Sequence, residues 1–171
     1  MTGRIFTADH HVYDLPPLLS WNVRHTGTVP CDSWSVTAVY QPEMLTVLRM
    51  AAGFAAIENE MTQLRGIVDE YTVELGSRGM TVTLSGRGYA ARLLDNESRP
   101  VTYEQVTLRE LIRCHAEPYG ISCGAAADLR PTVPYTAGAG ISQWKVISEF
   151  CRTYGGFLPR FAKTGELLAT P

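Results

Sequence analysis

The chain is poor in features that mark many functional classes. Its 171 residues include four cysteines, Cys31, Cys114, Cys123 and Cys151, with no Cys-x-x-Cys pair among them. Such spacing offers neither a zinc ribbon nor a disulfide framework, and free cysteine packs like a small hydrophobe, so four reduced thiols are expected. Lysine and arginine number 15 against 17 acids, a formal net charge of −2, which argues against the basic face of a nucleic-acid binder. No run of like charges forms a tail. No apolar stretch approaches the ~18 residues of a membrane span, and the N-terminus lacks a basic-then-apolar leader, so we expect synthesis and folding in a cytoplasm.

Catalytic patterns are equally scarce. Asp69-Glu70 is the most tempting acidic pair, but neighbours on a strand point to opposite faces and cannot share a substrate as acid and base. Asp69 falls on the apolar side of its strand, which predicts a buried structural pairing with Arg65 or Arg87. Gly86-Arg87-Gly88 lacks the Gly-Lys-Ser/Thr ending of a phosphate-cradling loop and reads as a turn. Cys114-His115 lies in an amphipathic helix with His115 on the core-facing side and no activating partner in view. Ser35, Ser85 and Ser122 have no nucleophile-elbow context. His10-His11 has no third ligand nearby, so a solvated pair is expected. We therefore expect no enzyme activity, no metal and no cofactor.

What the chain does have is patterning. Apolar residues at 45% and charged residues at 19% support a packed core. Residues 63–96 organise the rest. Ile67, Asp69, Tyr71, Val73 and Leu75 alternate with Val68, Glu70, Thr72 and Glu74, the period of a half-buried strand. Gly76-Ser77-Arg78-Gly79 provides a tight reversal, and Met80 to Leu84 alternates again, so the two runs predict a hairpin. Upstream, a polar arm at residues 4–11 leads to an extended segment with Pro16-Pro17. Leu19, Trp21 and Val23 share one face of a predicted strand, and residues 27–33 form a turn-rich link. Trp34, Val36, Ala38 and Tyr40 line a second strand. Pro42-Glu43 opens a short helix carrying Met44, Val47, Leu48 and Ala51 and ended by Gly53, after which residues 54–58 form a strand.

In the second half, Thr107 and Glu110 make a capping box, with Leu108, Leu111, Ile112 and His115 inward until Pro118. Residues 123–140 read as loop, with one extended piece at 132–135. A second helix starts at Ser142, turns Val146, Ile147, Phe150 and Tyr154 inward, and stops at Gly155-Gly156. Lys163-Thr164-Gly165 is the turn of a final hairpin. The two helices match at an offset of 35 residues, which a duplicated helix-then-strand unit or shared capping rules would both produce.

The residues alone thus predict an α+β chain: residues 1–98 a β-rich antiparallel domain with a short inserted helix, and residues 99–171 a smaller α/β unit with two helices and short strands. The ordered segments RGIVDEYTVEL, MTVTLSGRGYAARLLDNESRP and TLRELIRCHAEPYGI, with a further run at 141–168, resemble the tail-hub proteins of contractile bacteriophages and prophages. That group includes late control protein D and other baseplate hubs, with type VI secretion spike proteins as distant relatives. The resemblance implies a structural role in the virion tail, the baseplate hub joining tail tube to central spike. It implies synthesis in a bacterial cytoplasm, a β-barrel-like form for the domain at 1–98 and a homotrimeric ring, with tube protein, spike or tip protein and tape-measure protein as partners. It also implies a longer full-length chain, of which this would be a truncated or N-terminal part. Trp21, Trp34 and the strand at 54–57 are then candidate assembly contacts, with Asp69 and Arg87 as structural candidates. The competing expectation is a wall- or glycan-binding module or a wall-degrading enzyme, which needs an aromatic groove or two carboxylates about 5–10 Å apart. A generic adaptor is the third.

Overall fold

The structure, a computed structural model, describes residues 1–27, 30–77 and 79–171. Thr28 and Val29, in the expected link, and Arg78, in the expected reversal, lie outside the described residues. The chain divides into two compact units, Met1–Tyr89 and Ala90–Pro171. The class is α+β, dominated by antiparallel sheet.

The first unit is one seven-stranded sheet built from β1 (Thr2–Thr7), β2 (Val12–Asp14), β3 (Leu18–Arg24), β4 (Ser33–Val39), β5 (Ala51–Glu58), β6 (Met61–Gly76) and β7 (Gly79–Gly88), with helix α1 (Met44–Arg49) between β4 and β5. The strand order is β2-β1-β5-β6-β7-β4-β3, antiparallel throughout. The sheet is not a closed barrel: β2 and β3 are its two edges and do not pair. Alternation explains the core. Val36 and Ala38 on β4, Val82 and Leu84 on β7, and Leu64 on β6 point to one face, where α1 adds Met44 and Leu48. The polar arm is in fact strand β1, with Gly3, Ile5 and Thr7 buried against β5. Its two strong hydrophobes, Ile5 and Phe6, are adjacent and show no alternation, which hid it. Gly53, expected to end the helix, lies inside β5.

The long hairpin carries an irregularity that alternation does not reveal. Between Val68 and Glu70 the β6–β7 register shifts, leaving Asp69 as an extra residue. Such a bulge changes the face on which the following residues fall. Val68 therefore packs on the core together with Tyr71 and Val73, although the simple count separates them. Asp69 turns to the other face, exposed instead of buried. A second shift at Leu19 removes it from the face of Trp21 and Val23.

The second unit contains α2 (Ala91–Leu94), β8 (Val101–Tyr103), α3 (Leu108–His115), β9 (Cys123–Ala126), β10 (Tyr135–Ala137), α4 (Gln143–Gly155), β11 (Arg160–Phe161) and β12 (Leu167–Ala169). Strands β8 and β10 pair antiparallel; β11, β12 and β9 form a second small sheet in that order, with β9 parallel to β12. The extended piece lies at Tyr135–Ala137, later than the residues Thr132 to Tyr135 of the sequence reading, because Tyr135 and Ala137 are the positions that reach the core. Leu111, Ile112 and Ile121 pack there against Val146, Ile147 and Phe150. The Thr107–Glu110 capping box forms on α3, and Ser142 caps α4 by accepting from Lys145 N–H.

Candidate functional site

The expected contact residues separate into core and surface. Trp34 is 3% exposed and stacks on Phe54, with ring centroids 3.8 Å apart and planes 13° apart. These rings sit on β4 and β5, which are two strands apart in the sheet. They meet because the strands between present glycines: Trp34 pairs with Gly86 and Phe54 with Gly66. A Cβ on Gly86 would collide with the Ile67 carbonyl and lie 2.9 Å from the Trp34 ring. Trp34 Nε1–H in turn donates to the Ile67 carbonyl at 3.1 Å, beside the bulge. Gly86 is thus room for an indole rather than a loop glycine. Trp34, Phe54, Ala55 and Ala56 are core and offer no exposed contact surface.

Trp21 is 50% exposed, because β3 is an edge with no strand beyond it to cover the ring. Asp69 and Arg87 form a bidentate pair, with Arg87 Nε and Nη2 donating to the two carboxylate oxygens at 2.8 and 2.9 Å. Of the two expected partners, Arg87 is the one used; Arg65 instead donates to Tyr89 Oη and lies over the Phe6 ring. Beside the pair, Ser85 donates to Glu70, and Thr37 and Thr83 share a hydrogen bond across β4 and β7. The outer face of the sheet is a polar ladder. At the hairpin tip Leu19, Val39, Leu75 and Met80 are exposed around an open groove of about 910 Å³, with Leu75 at 82%. Scattered exposed leucines mean little, but a contiguous patch marks a contact surface. Alternation alone missed it, since Leu19 and Leu75 score as core positions.

In the second unit His115 is buried with both ring nitrogens satisfied. Gln143 Nε2 donates to the Glu97 carbonyl and to Tyr119 Oη, which turns its Oε1 toward His115 Nδ1 at 2.6 Å. Nδ1 must then carry a proton, and Nε2 meets Tyr103 Oη at 2.9 Å. The network ties α3, α4 and the β8 strand together. Burial pushes the Cys151 thiol up to about 12 and the partly buried Cys123 thiol up as well, which holds both as inert thiols. Among the described residues, no group of three or more His, Cys, Asp or Glu could hold a metal ion. No helix among the described residues is long and apolar enough to cross a membrane.

A second groove, about 840 Å³, runs between α3 and β9, lined by Arg109, Arg113, Glu117, Ser122, Cys123 and Arg130 among others. Arg130 pairs with Asp128 at 2.7 Å, and Glu110 is held by the capping box. The Thr107 backbone N–H, and after it the Thr107 hydroxyl, keep the Glu110 carboxyl below the usual range. The inward pattern of α3 does not reveal this groove; the arginines four apart on its outward side are the signal the sequence offers.

No protein-family pattern and no curated sequence matches the chain. Solved structures do. A tail protein from Neisseria meningitidis MC58 superposes with a TM-score of 0.72 at 14% identity, over 97% of this chain and 50% of its own. The 43 kDa tail protein of prophage MuSo2 from Shewanella oneidensis gives 0.74 at 14%, over 99% and 54%. The E. coli c3393 protein is a type VI secretion component described as structurally similar to the T4 tail proteins gp27 and gp5. It gives 0.53 at 11%, over 87% and 47%. The chain spans about half the length of each of these proteins, and the fold it carries is the fold of phage tail proteins.

Proposed function

We propose that the chain is a structural part of a phage or prophage tail, the hub that joins tail tube to central spike, and that it works by docking rather than turnover. The observation that carries this reading is the fold shared with two tail proteins along nearly the whole chain. Its surface chemistry supports the same role. One long sheet leaves two strand edges unpaired, one of them with a half-exposed Trp21, and an apolar patch sits at the tip of its longest hairpin. Edges of this kind are satisfied by pairing with another chain. Three copies forming a ring, with tube, spike and tape-measure proteins as neighbours, is the assembly we assign to the full-length protein in the baseplate. The test is gold-labelled antibody against this chain on purified tail particles. Label confined to the tube–baseplate junction is expected; label along the tube, or none, overturns the reading.

A further inference from the structure

The sheet of the first unit has a third open edge that its strand order conceals. Strand β6 pairs with β5 only from Met61 to Ile67, whereas its ladder with β7 continues to Gly76. Past the bulge at Asp69, one side of β6 therefore has no strand beside it, although β6 lies in the middle of the sheet. Outside the β6–β7 ladder, the backbone of residues 70–76 makes no hydrogen bond to a described residue. The same holds for the outer side of the end strand β3. Natural sheets blunt such edges by brevity, proline or charge. Strand β2 is blunted: it has three residues, and Pro16-Pro17 follows. Neither β3 nor the far half of β6 contains a proline.

These two open edges complement each other. Directly opposed residues of a ladder share a face, so Trp21 and Val23, opposite Val36 and Trp34, lie on the core face of β3, and Asn22 and Arg24 on the outer one. On β6 past the bulge, Tyr71 and Val73 pack on the core, and Glu70, Thr72 and Glu74 take the outer face. Each edge thus carries an incompletely covered apolar row on one face and a polar row on the other. The charges are opposite. Asp69 is answered by Arg87 and His25 by Asp32. Glu70 has only the Ser85 hydroxyl, and Arg24 and Glu74 make no hydrogen bond or ion pair with a described residue. Laid antiparallel, like every pair in this sheet, the strands match in one register. Trp21 meets Val73 and Val23 meets Tyr71 on the core face. Asn22 meets Thr72 and Arg24 meets Glu70 on the outer face. A slip of one residue sets Trp21 against a polar row, and a slip of two toward the tip sets Arg24 against Thr72 and loses the ion pair.

We infer that β3 of one copy of this chain adds to the open half of β6 of a second copy, in that register. Backbone hydrogen bonds supply affinity in such strand addition, and the side-chain rows supply selectivity. The two surfaces differ, so the contact is head-to-tail and each copy keeps one free edge of each kind unless the copies close on themselves. The contact deepens the ring proposed above by naming the edges that meet, and it rests on that reading for closure alone.

The test is sedimentation of the intact chain from micromolar to millimolar concentration, where concentration-dependent self-association is expected. R24E and E70R should each weaken it about tenfold or more, because like charges then face each other. An equimolar mixture of the two variants, or the R24E/E70R double variant, should restore it. Both positions are exposed, so circular dichroism should stay that of the wild type. A second measurement leaves this pair intact and decides even if a charge variant fails to fold. Chains carrying Ser20→Cys and chains carrying Glu74→Cys, mixed and oxidised, should yield a disulfide between positions 20 and 74 in peptide mapping. A link between two copies of position 20 assigns a symmetric β3 contact and overturns the inference. Association indifferent to the charge reversals, or not restored in the mixture, overturns it too. So does a chain that stays monomeric at millimolar concentration. That result leaves the gold labelling of tail particles untouched, so failure of this contact and failure of the tail reading are told apart.

Discussion

Trp34 and Trp21 show how far one residue type can diverge on one sheet. Trp34 fills the space that Gly66 and Gly86 leave between β4 and β5, and its indole N–H satisfies a carbonyl beside the bulge. Emptying that position should cost about 3–5 kcal/mol, measured by denaturant unfolding of Trp34→Ala. Trp21→Ser removes a half-exposed ring and should change stability by less than about 1 kcal/mol, while weakening assembly with tail partners in co-purification. The Asp69–Arg87 pair is bidentate but a third exposed, so solvent screening limits it. Arg87→Ala should cost no more than about 1 kcal/mol in the same assay. Tyr135 gives a spectroscopic handle. Burial, followed by the nearby Glu149, pushes its phenol up from the ordinary 10.0 to about 12. A raised phenol contributes stability that is complete below its unfolded value and is lost as pH rises through the folded one. Tyr13 and Tyr103 are also raised by burial, so alkaline titration at 295 nm should show several late tyrosines in the wild type, the latest of which is missing from Tyr135→Phe.

Elements were legible where a local rule acts alone. The capping box of α3 and the alternation of β4 and β7 need no knowledge of the rest of the fold. Strand β1 was not legible, because Gly3 and Thr7 are buried only through what β5 and Leu15 place over them. The bulge at Asp69 was not legible either: it is a property of the pairing with β7, and counting along β6 cannot see it. The same limit hid the groove at the hairpin tip, which joins Leu19, Val39 and Met80 from segments distant in sequence. The cap of α3 carries a pH signature. Its Glu110 carboxyl is held low by the Thr107 N–H and hydroxyl, so its contribution is present above the unfolded carboxylate range and lost as pH falls through the lowered value. Thr107→Ala should cost about 0.5–2 kcal/mol at neutral pH. Its stability difference from wild type should shrink on acidification, and a constant difference would contradict the capping role.

At the scale of the molecule, each of the two units buries its own cluster, one around Trp34, Phe54 and Leu84 and the other around Leu111, Ile147 and Phe150. Hydrogen exchange should register this division. Phe150→Ala should speed exchange of residues 90–171 far more than of residues 1–89, and Phe54→Ala should do the reverse. The docking role also predicts a negative: purified peptidoglycan suspensions should keep their turbidity when the chain is added, and clearing would favour the wall-degrading alternative.

The extra residue at position 69 makes the hairpin tolerant of a one-residue loss at that place in a way ordinary strands are not. Losing that one codon would leave Leu64, Gly66, Val68, Tyr71 and Val73 in unbroken alternation on one face, the last four in the register they already hold against β7. Deletion of Asp69 should therefore keep the fold and lose only the pair with Arg87, whereas deletion of a paired residue such as Thr72 should turn core side chains toward water.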